Sequence, residues 1–208
     1  MALIAKDSGG GDYKPVEAGL HRAICYAVYD LGHQVFEFQG ETKVLHKILV
    51  NWELPDERID VEKDDETVNL PRAISKEYTL SLHEKSNLRA DLIGWRGREF
   101  THEELEGFNL EAIIGKPCQL NVVHGVSKKS GNTYAKIVAV LKAPKDGSMK
   151  DMKAENPLVM YEIDDAIPDT IPQWIVDKIN NSNEKKGLPP DVPEYNIPEY
   201  DPDDDIPF

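Results

Sequence analysis

The strongest constraint on the fold is a two-residue alternation of apolar and polar side chains, which recurs along the 208-residue chain. This period places the apolar side chains on one face of a β-strand. Tyr78 and Leu80, for example, alternate with polar neighbours. A further segment, from Val35 to Phe38, either extends the first strand or forms a short ribbon. The five predicted strands cover residues 20–31, 43–54, 72–82, 117–124 and 134–141.

Between the third and fourth strands, the apolar residues change to helical spacing. Ser86 is a typical helix N-cap, and Leu88 and Leu92 follow on one face. Thr101 and Glu104 fit a capping box that begins a second short helix. The order β-β-β-α-β-β favours a mainly β protein, a five-stranded OB-fold barrel with a helical connection between strands 3 and 4. Residues 55–70 are charged and poor in large apolar side chains, which predicts a loop.

The net charge of −14 argues, as an average, against a nucleic-acid partner. The distribution changes this interpretation. Residues 1–150 hold 20 basic and 23 acidic side chains, whereas residues 151–208 hold 4 basic and 15 acidic ones. Residues 53–66 alone account for 2 basic and 8 acidic side chains. The remainder of residues 1–150 therefore has 18 basic and 15 acidic groups, and this weakly basic part is compatible with a polyanion.

The shifts in composition predict four parts along the chain. They are a flexible N-terminal arm (1–18), an OB-fold domain (19–146), a linker with a short amphipathic helix (147–182) and a disordered acidic tail (183–208). No apolar run is long enough to span a membrane, and the N-terminus lacks the pattern of a signal peptide. Cys25 and Cys118 form no disulfide framework. We expect a protein of the cytoplasm.

No catalytic set stands out in the sequence. It contains no phosphate-binding glycine loop, and its six histidines lack the spacing of metal ligands. We therefore expect no enzyme, no metal and no cofactor. Asp64, Asp65 and Glu66 offer an alternative, because they could attract a divalent cation for a metal-dependent nuclease. A solvated run of charge is the simpler interpretation.

The end of the chain has the composition of a docking peptide. A terminal Phe can fill an apolar pocket while its carboxylate pairs with a basic residue, and neighbouring acids steer the peptide to a basic partner. Asp203-Asp204-Asp205-Ile206-Pro207-Phe208 form this segment, and they resemble the C-terminal tip of bacterial single-stranded DNA-binding proteins. The resemblance implies that the tip recruits replication, recombination or repair enzymes and that an OB-fold binds the DNA. The predicted partner-binding residues are Asp203, Asp204, Asp205, Ile206, Pro207 and Phe208.

Three segments of the body carry a second resemblance, namely Trp95-Arg96-Gly97-Arg98, Leu105-Glu106-Gly107-Phe108 and Gly115-Lys116-Pro117-Cys118. They resemble a different group, the phage-encoded single-stranded DNA-binding proteins. This resemblance implies a phage origin within a bacterial cell. No DNA-contacting residue is transferred from either family.

The DNA surface is predicted from the residues themselves. Binding of single strands without sequence preference needs basic groups beside aromatic faces, and OB-folds place them on strands 2 and 3 and on the loops between strands 1–2 and 4–5. Phe36 and Phe38 could instead fill the barrel, and the lysines of the strand 4–5 loop could simply be solvated. Arg96 and Arg98 could instead form a structural ion pair with Glu99 or Glu103. The candidates are Phe36, Phe38, Lys43, Lys47, Arg72, Lys76, Arg96, Lys128, Lys129, Tyr134 and Lys136.

Two further expectations concern the whole molecule. The acidic tail can occupy the basic surface of its own chain, so deletion of residues 183–208 should tighten DNA binding at low salt. The alternative to DNA binding is a protein–protein adaptor whose tip mimics that of a host protein. The sequence does not determine the oligomeric state.

Overall fold

The computed structural model describes residues 14–38, 41–63, 66–128 and 130–190. The chain is mainly β, as the alternation predicts. The strands in this part of the chain are β1 (Gly19–Phe38), β2 (Glu41–Lys63), β3 (Glu66–Thr79), β4 (Pro117–Val126), β5 (Thr133–Lys142) and β6 (Val159–Tyr161). The helices are α1 (Asn87–Arg96), α2 (His102–Glu106), a 3-10 turn (Leu110–Ile113) and α3 (Gln173–Asn180).

One sheet contains all of these strands, in the order β3-β2-β1-β4-β5, and neighbours in this order are antiparallel. The short strand β6 adds to β1 in parallel. In the described residues β3 and β5 form no backbone ladder, so the sheet is open. β1 is the central strand, because its first residues pair with β4 and its later residues pair with β2.

The loop predicted for residues 55–70 is wrong. β2 and β3 continue through this range as a two-stranded ribbon, in which Arg58 pairs with Pro71 and the pairing continues to Lys63 and Glu66. The physical reason is a second alternation within the charged run. Ile59 lies opposite Leu70 and Val61 opposite Val68, so each strand supplies a row of apolar side chains to its neighbour.

The first core lies on one face of the sheet. It contains Val28 of β1, Trp52 of β2 and Tyr78 of β3, together with Leu92 and Trp95 from the buried side of α1. Ser86 caps α1 as predicted, and its hydroxyl accepts the Arg89 N–H. α1 packs against β5, the strand at the open edge of the sheet. The helix therefore covers an edge that the ladder leaves unpaired.

A second core lies on the opposite face of β1 and β2. Residues 147–182, for which the sequence predicts a linker, supply β6 and α3 to this core. Ile175 and Ile179 of α3 are fully buried against a cluster that includes Leu31 and Leu49. β1 is therefore buried on both faces along its middle part.

The chain remains attached to β1 beyond α3. Asn183 donates its backbone N–H to the His33 carbonyl, and Glu184 contacts both the backbone N–H and the ring of His33. Ser182 and Asn183 are buried. The described part of the chain ends soon after these contacts, at Pro190.

Candidate nucleic-acid interface

The first group of predicted site residues lies on the arm formed by the end of β1 and the start of β2. Phe36 pairs with Lys43 across the ladder. The Lys47 ammonium lies 4.8 Å from the centre of the Phe36 ring, within the range of a cation–π contact. The Phe36 side chain remains 37% exposed, so the ring retains an open face. An aromatic face beside two lysines is a suitable arrangement for a stacked base and its phosphate.

The second group lies on the β4–β5 hairpin. Residues 117–142 hold four lysines and no acidic residue. Tyr134 pairs with Gly125, and a Cβ added to that glycine would lie 2.6 Å from the tyrosine ring. The ring therefore rests on the bare backbone of its partner strand. Lys136 is two residues further along the same strand, and Lys128 is exposed on the connecting turn.

Two other predicted DNA contacts, Lys76 and Arg72, are engaged inside the protein. The Lys76 ammonium is 2.7 Å from the Asp91 carboxylate on α1, which also accepts the Tyr78 hydroxyl. Burial, together with the Asp91 charge and hydrogen bond, holds the pKa of Tyr78 well above its usual value. Arg72 donates to the carbonyls of residues 14 and 15. Its guanidinium therefore holds the beginning of the described chain against β3.

Arg96 forms a structural ion pair, the alternative left open by the sequence, but its partner is Glu104 and not Glu99 or Glu103. Its guanidinium pairs with Glu104 and lies 4.3 Å from the ring centre of Phe100 and 5.0 Å from that of Phe108. Arg98 donates to the same carboxylate. Hydrogen bonds from Arg98, then from Arg96, hold the pKa of Glu104 far below its usual value. Arg96 and Arg98, which belong to one of the segments that resemble phage-encoded proteins, therefore join α1 to α2.

Several predicted residues lie outside the described part of the chain. They are Lys129, the tip residues 203–208, and Asp64 and Asp65 of the possible cation site; Phe38 ends β1, but its side chain is not described. Among the residues that the structure describes, no group of three His, Cys, Asp or Glu side chains could hold a metal ion. The described helices include none that is long and apolar enough to cross a membrane.

The sequence did not identify the role of α3 at this surface. Lys178 of α3 is 2.7 Å from Glu77 of β3, and Lys47 is 3.9 Å from the same carboxylate. Gln34 donates to the Lys178 carbonyl. α3 thus covers part of the face of β1–β3 on which an OB-fold is expected to bind its ligand. The spacing of Ile171, Ile175 and Ile179 indicated the helix, but it did not indicate which surface the helix covers.

A comparison of this chain with protein-family models finds no matching model, and a comparison with curated proteins finds no similar sequence.

Proposed function

We propose that this protein binds single-stranded DNA without sequence preference, through an OB-type sheet whose two hairpins contact the strand. The observation that carries the proposal is the strand arrangement. Five antiparallel strands have β1 at the centre, and the chain passes through α1 between β3 and β4. An OB-fold is a five-stranded, partly open Greek-key barrel that binds oligonucleotides with its strand 2–3 face and the loops between strands 1–2 and 4–5.

The positions of the basic and aromatic side chains support this function. Phe36, Lys43 and Lys47 lie next to the connection between β1 and β2, and Lys128 and Tyr134 lie next to the connection between β4 and β5. These are the two connections that flank the ligand in an OB-fold. The proposed path of the DNA runs between the hairpins and passes beside α3.

Salt dependence tests the proposal, because phosphate contacts release counterions. Binding of an oligo(dT) and of a duplex is measured by fluorescence anisotropy at several salt concentrations. Lys128→Ala should weaken single-strand binding and reduce the log–log salt slope by about 0.7. Lys85→Ala removes an exposed lysine outside both groups and should change neither quantity. Failure of the unmodified protein to bind oligo(dT) at low salt would contradict the proposal and favour the adaptor alternative.

Stacking is tested separately from charge. Tyr134→Ala should weaken oligo(dT) binding by about 5- to 150-fold, since stacking contributes about 1–3 kcal/mol per base. Tyr134→Phe keeps the ring over Gly125 and should bind almost as tightly as the unmodified protein. Equal loss in both variants would indicate that the hydroxyl, and not the aromatic face, makes the contact.

The proposed function includes recruitment of replication, recombination or repair enzymes by residues 203–208. Its support is the sequence of the tip, an apolar aromatic end preceded by three aspartates. Phe208→Ala should abolish binding to purified enzymes of this class and leave oligo(dT) binding unchanged. Unaltered enzyme binding by this variant would contradict the role of the tip.

A further inference from the structure

The β2–β3 ribbon, residues 58–71, has two chemically different faces. On the polar face, Asn69 donates to Asp60 at 2.7 Å, and Arg58 donates to the Asn69 side chain at 2.7 Å. Arg58 also donates to Glu155, which connects this face to the segment before β6. The polar face therefore has its hydrogen-bond partners within the chain.

The opposite face of the ribbon is apolar. It consists of Ile59 opposite Leu70 and Val61 opposite Val68. Ile59, Leu70 and Val61 are 44, 39 and 37% exposed, and neither of the two cores described above includes any of the four side chains. A two-stranded ribbon is marginally stable by itself, and an exposed row of apolar side chains marks a contact surface.

This apolar face continues the side of β3 that packs on the first core. Alternate residues of a strand share one side, so Ile74, Arg72, Leu70 and Val68 lie in a row along β3. Ile74 belongs to the first core. The irregularity in the ladder lies in β2 and leaves the alternation of β3 unbroken. A segment that passes over the Arg72 side chain is therefore next to the apolar face of the ribbon.

The beginning of the described chain occupies this position. Arg72 donates to the backbone carbonyls of Lys14 and Pro15. The next residue, Val16, is 3% exposed and belongs to the first core. These contacts fix Lys14 at the base of the ribbon, on its apolar side. Residues 1–13 are covalently attached at this point.

The sequence of these residues fits the uncovered face. Met1, Leu3 and Ile4 form an apolar group within residues 1–5, and residues 6–13 separate this group from the attachment point. Along β3, the far end of the apolar face is four residues from Arg72, or about 13 Å. Eight extended residues span up to about 26 Å. The three consecutive glycines at positions 9–11 allow the connecting segment to turn, because glycine adopts conformations that other residues avoid.

We propose that residues 1–5 pack on the apolar face of the ribbon of the same chain. The segment carries apolar side chains, and its attachment lies at the base of that face. The contact is intramolecular, so the segment has an effective concentration at the face that a separate molecule lacks. It adds apolar burial to a ribbon of only two strands. The contact needs no DNA, so its test is independent of the proposed function.

Hydrogen exchange of the full chain, without DNA, measures the stability of the ribbon. The amides of residues 59–70 should exchange at least about tenfold faster in Leu3→Ser/Ile4→Ser than in the unmodified protein, because the variant loses the apolar contacts. Ala2→Ser/Ala5→Ser changes the same segment but removes little apolar surface, and it should exchange like the unmodified protein. Equal exchange in all three proteins, with unchanged circular dichroism spectra, would overturn the proposal.

Disulfide formation shows which face the segment contacts and in which chain. Leu3→Cys/Val61→Cys or Ile4→Cys/Val61→Cys should close a disulfide within one chain at least about tenfold faster than the matched pairs that carry Thr67→Cys in place of Val61→Cys. Thr67 lies on the polar face, where its hydroxyl donates to Glu62. Both native cysteines are buried. Rates no faster than those of the matched pairs, or a disulfide that joins two chains, would overturn the proposal.

Discussion

At the scale of single residues, Glu53 joins the C-terminal part of the chain to the sheet. Its side chain is fully buried and accepts the backbone N–H of Glu155 at 2.8 Å, the backbone N–H of Asn156 at 3.0 Å and the Asn156 amide at 2.7 Å. Glu53→Ala leaves these donors without their acceptor and removes a fully buried side chain. We expect a loss of about 2–3 kcal/mol in the free energy of unfolding, measured by urea denaturation.

The control for Glu53 is Glu155→Ala. This substitution removes the surface ion pair with Arg58 and keeps the backbone N–H that Glu53 accepts. Its cost should be about 1 kcal/mol or less. A similar loss of unfolding free energy in Glu53→Ala and Glu155→Ala would show that the buried Glu53 carboxylate does not stabilise the fold.

His46 makes the stability depend on pH. Burial lowers its pKa, but the hydrogen bond and charge of Asp30 and the charge of Glu184 outweigh burial, so the pKa lies above the ordinary 6.5. The Asp30 carboxylate is 2.7 Å from His46 Nε2. The centre of the His33 ring is 4.6 Å from that of His46, and the two rings are tilted by 34°. A raised pKa in the folded state stabilises the fold at low pH, and this stabilisation is lost as the pH rises through that value.

Asp30→Asn tests this dependence. The asparagine oxygen can still accept the Gly32 N–H, but the charge beside His46 is removed. From about pH 6 to pH 8, the unmodified protein should lose more unfolding free energy than the variant, as measured by urea denaturation at each pH. Parallel pH profiles would show that the Asp30–His46 pair does not contribute.

At the scale of elements, the packing of α1 on β5 depends on Gly94. A Cβ at this position would lie 2.4 Å from the Val140 carbonyl oxygen, so the helix backbone approaches the strand directly. Gly94→Ala should cost about 1–3 kcal/mol, because either the helix or β5 must shift. Gly107→Ala is the matched control, since its Cβ would meet nothing within 4 Å. Thermal denaturation of the two variants should differ accordingly, and equal melting temperatures would contradict the close approach.

The β2–β3 ribbon in residues 55–70 is an element that the sequence did not predict. Alternation predicted the five strands that form the first core, because one face of each strand is apolar and the other polar. In residues 55–70 the same alternation is present in Ile59, Val61, Val68 and Leu70, but seven acidic residues mask it in the composition. Pairing is a property of two strands, and the register that places Ile59 opposite Leu70 is visible only when both are in position.

The second core was hidden for a different reason. The spacing of isoleucines four apart predicts α3, but it does not specify the surface that this face covers. The signal lies in β1, where Ala27, Tyr29 and Leu31 are apolar on the face opposite the first core. When the odd- and the even-numbered residues of a strand are both apolar, both faces of that strand are buried. The prediction that DNA crosses the β2–β3 face therefore did not include α3, which covers part of that face.

At the scale of the whole molecule, the two cores share β1 and should unfold together. Ile175→Ala creates a cavity under α3 and should cost about 2–5 kcal/mol. Trp52 and Trp95 lie in the opposite core, whereas Trp174 lies in α3. In a Trp174→Phe background, the fluorescence of Trp52 and Trp95 should report the same shifted transition as circular dichroism. Asp177→Ala, on the exposed side of α3, should change stability by about 0.5 kcal/mol or less. Tryptophan fluorescence unaffected by Ile175→Ala would show that α3 unfolds independently.

The acidic end of the chain competes with DNA for the same positive surfaces if the proposed function holds. Residues 191–208 contain seven acidic side chains and no basic one. Asn183 and Glu184 bind His33, so a deletion that begins at residue 191 leaves these contacts intact. Oligo(dT) affinity should rise on this deletion at low salt, and the gain should vanish at high salt, where the charges are screened. Deletion of residues 206–208 alone keeps every acidic side chain and should leave DNA affinity unchanged. Equal affinity of the full chain and the longer deletion at low salt would contradict competition by the tail.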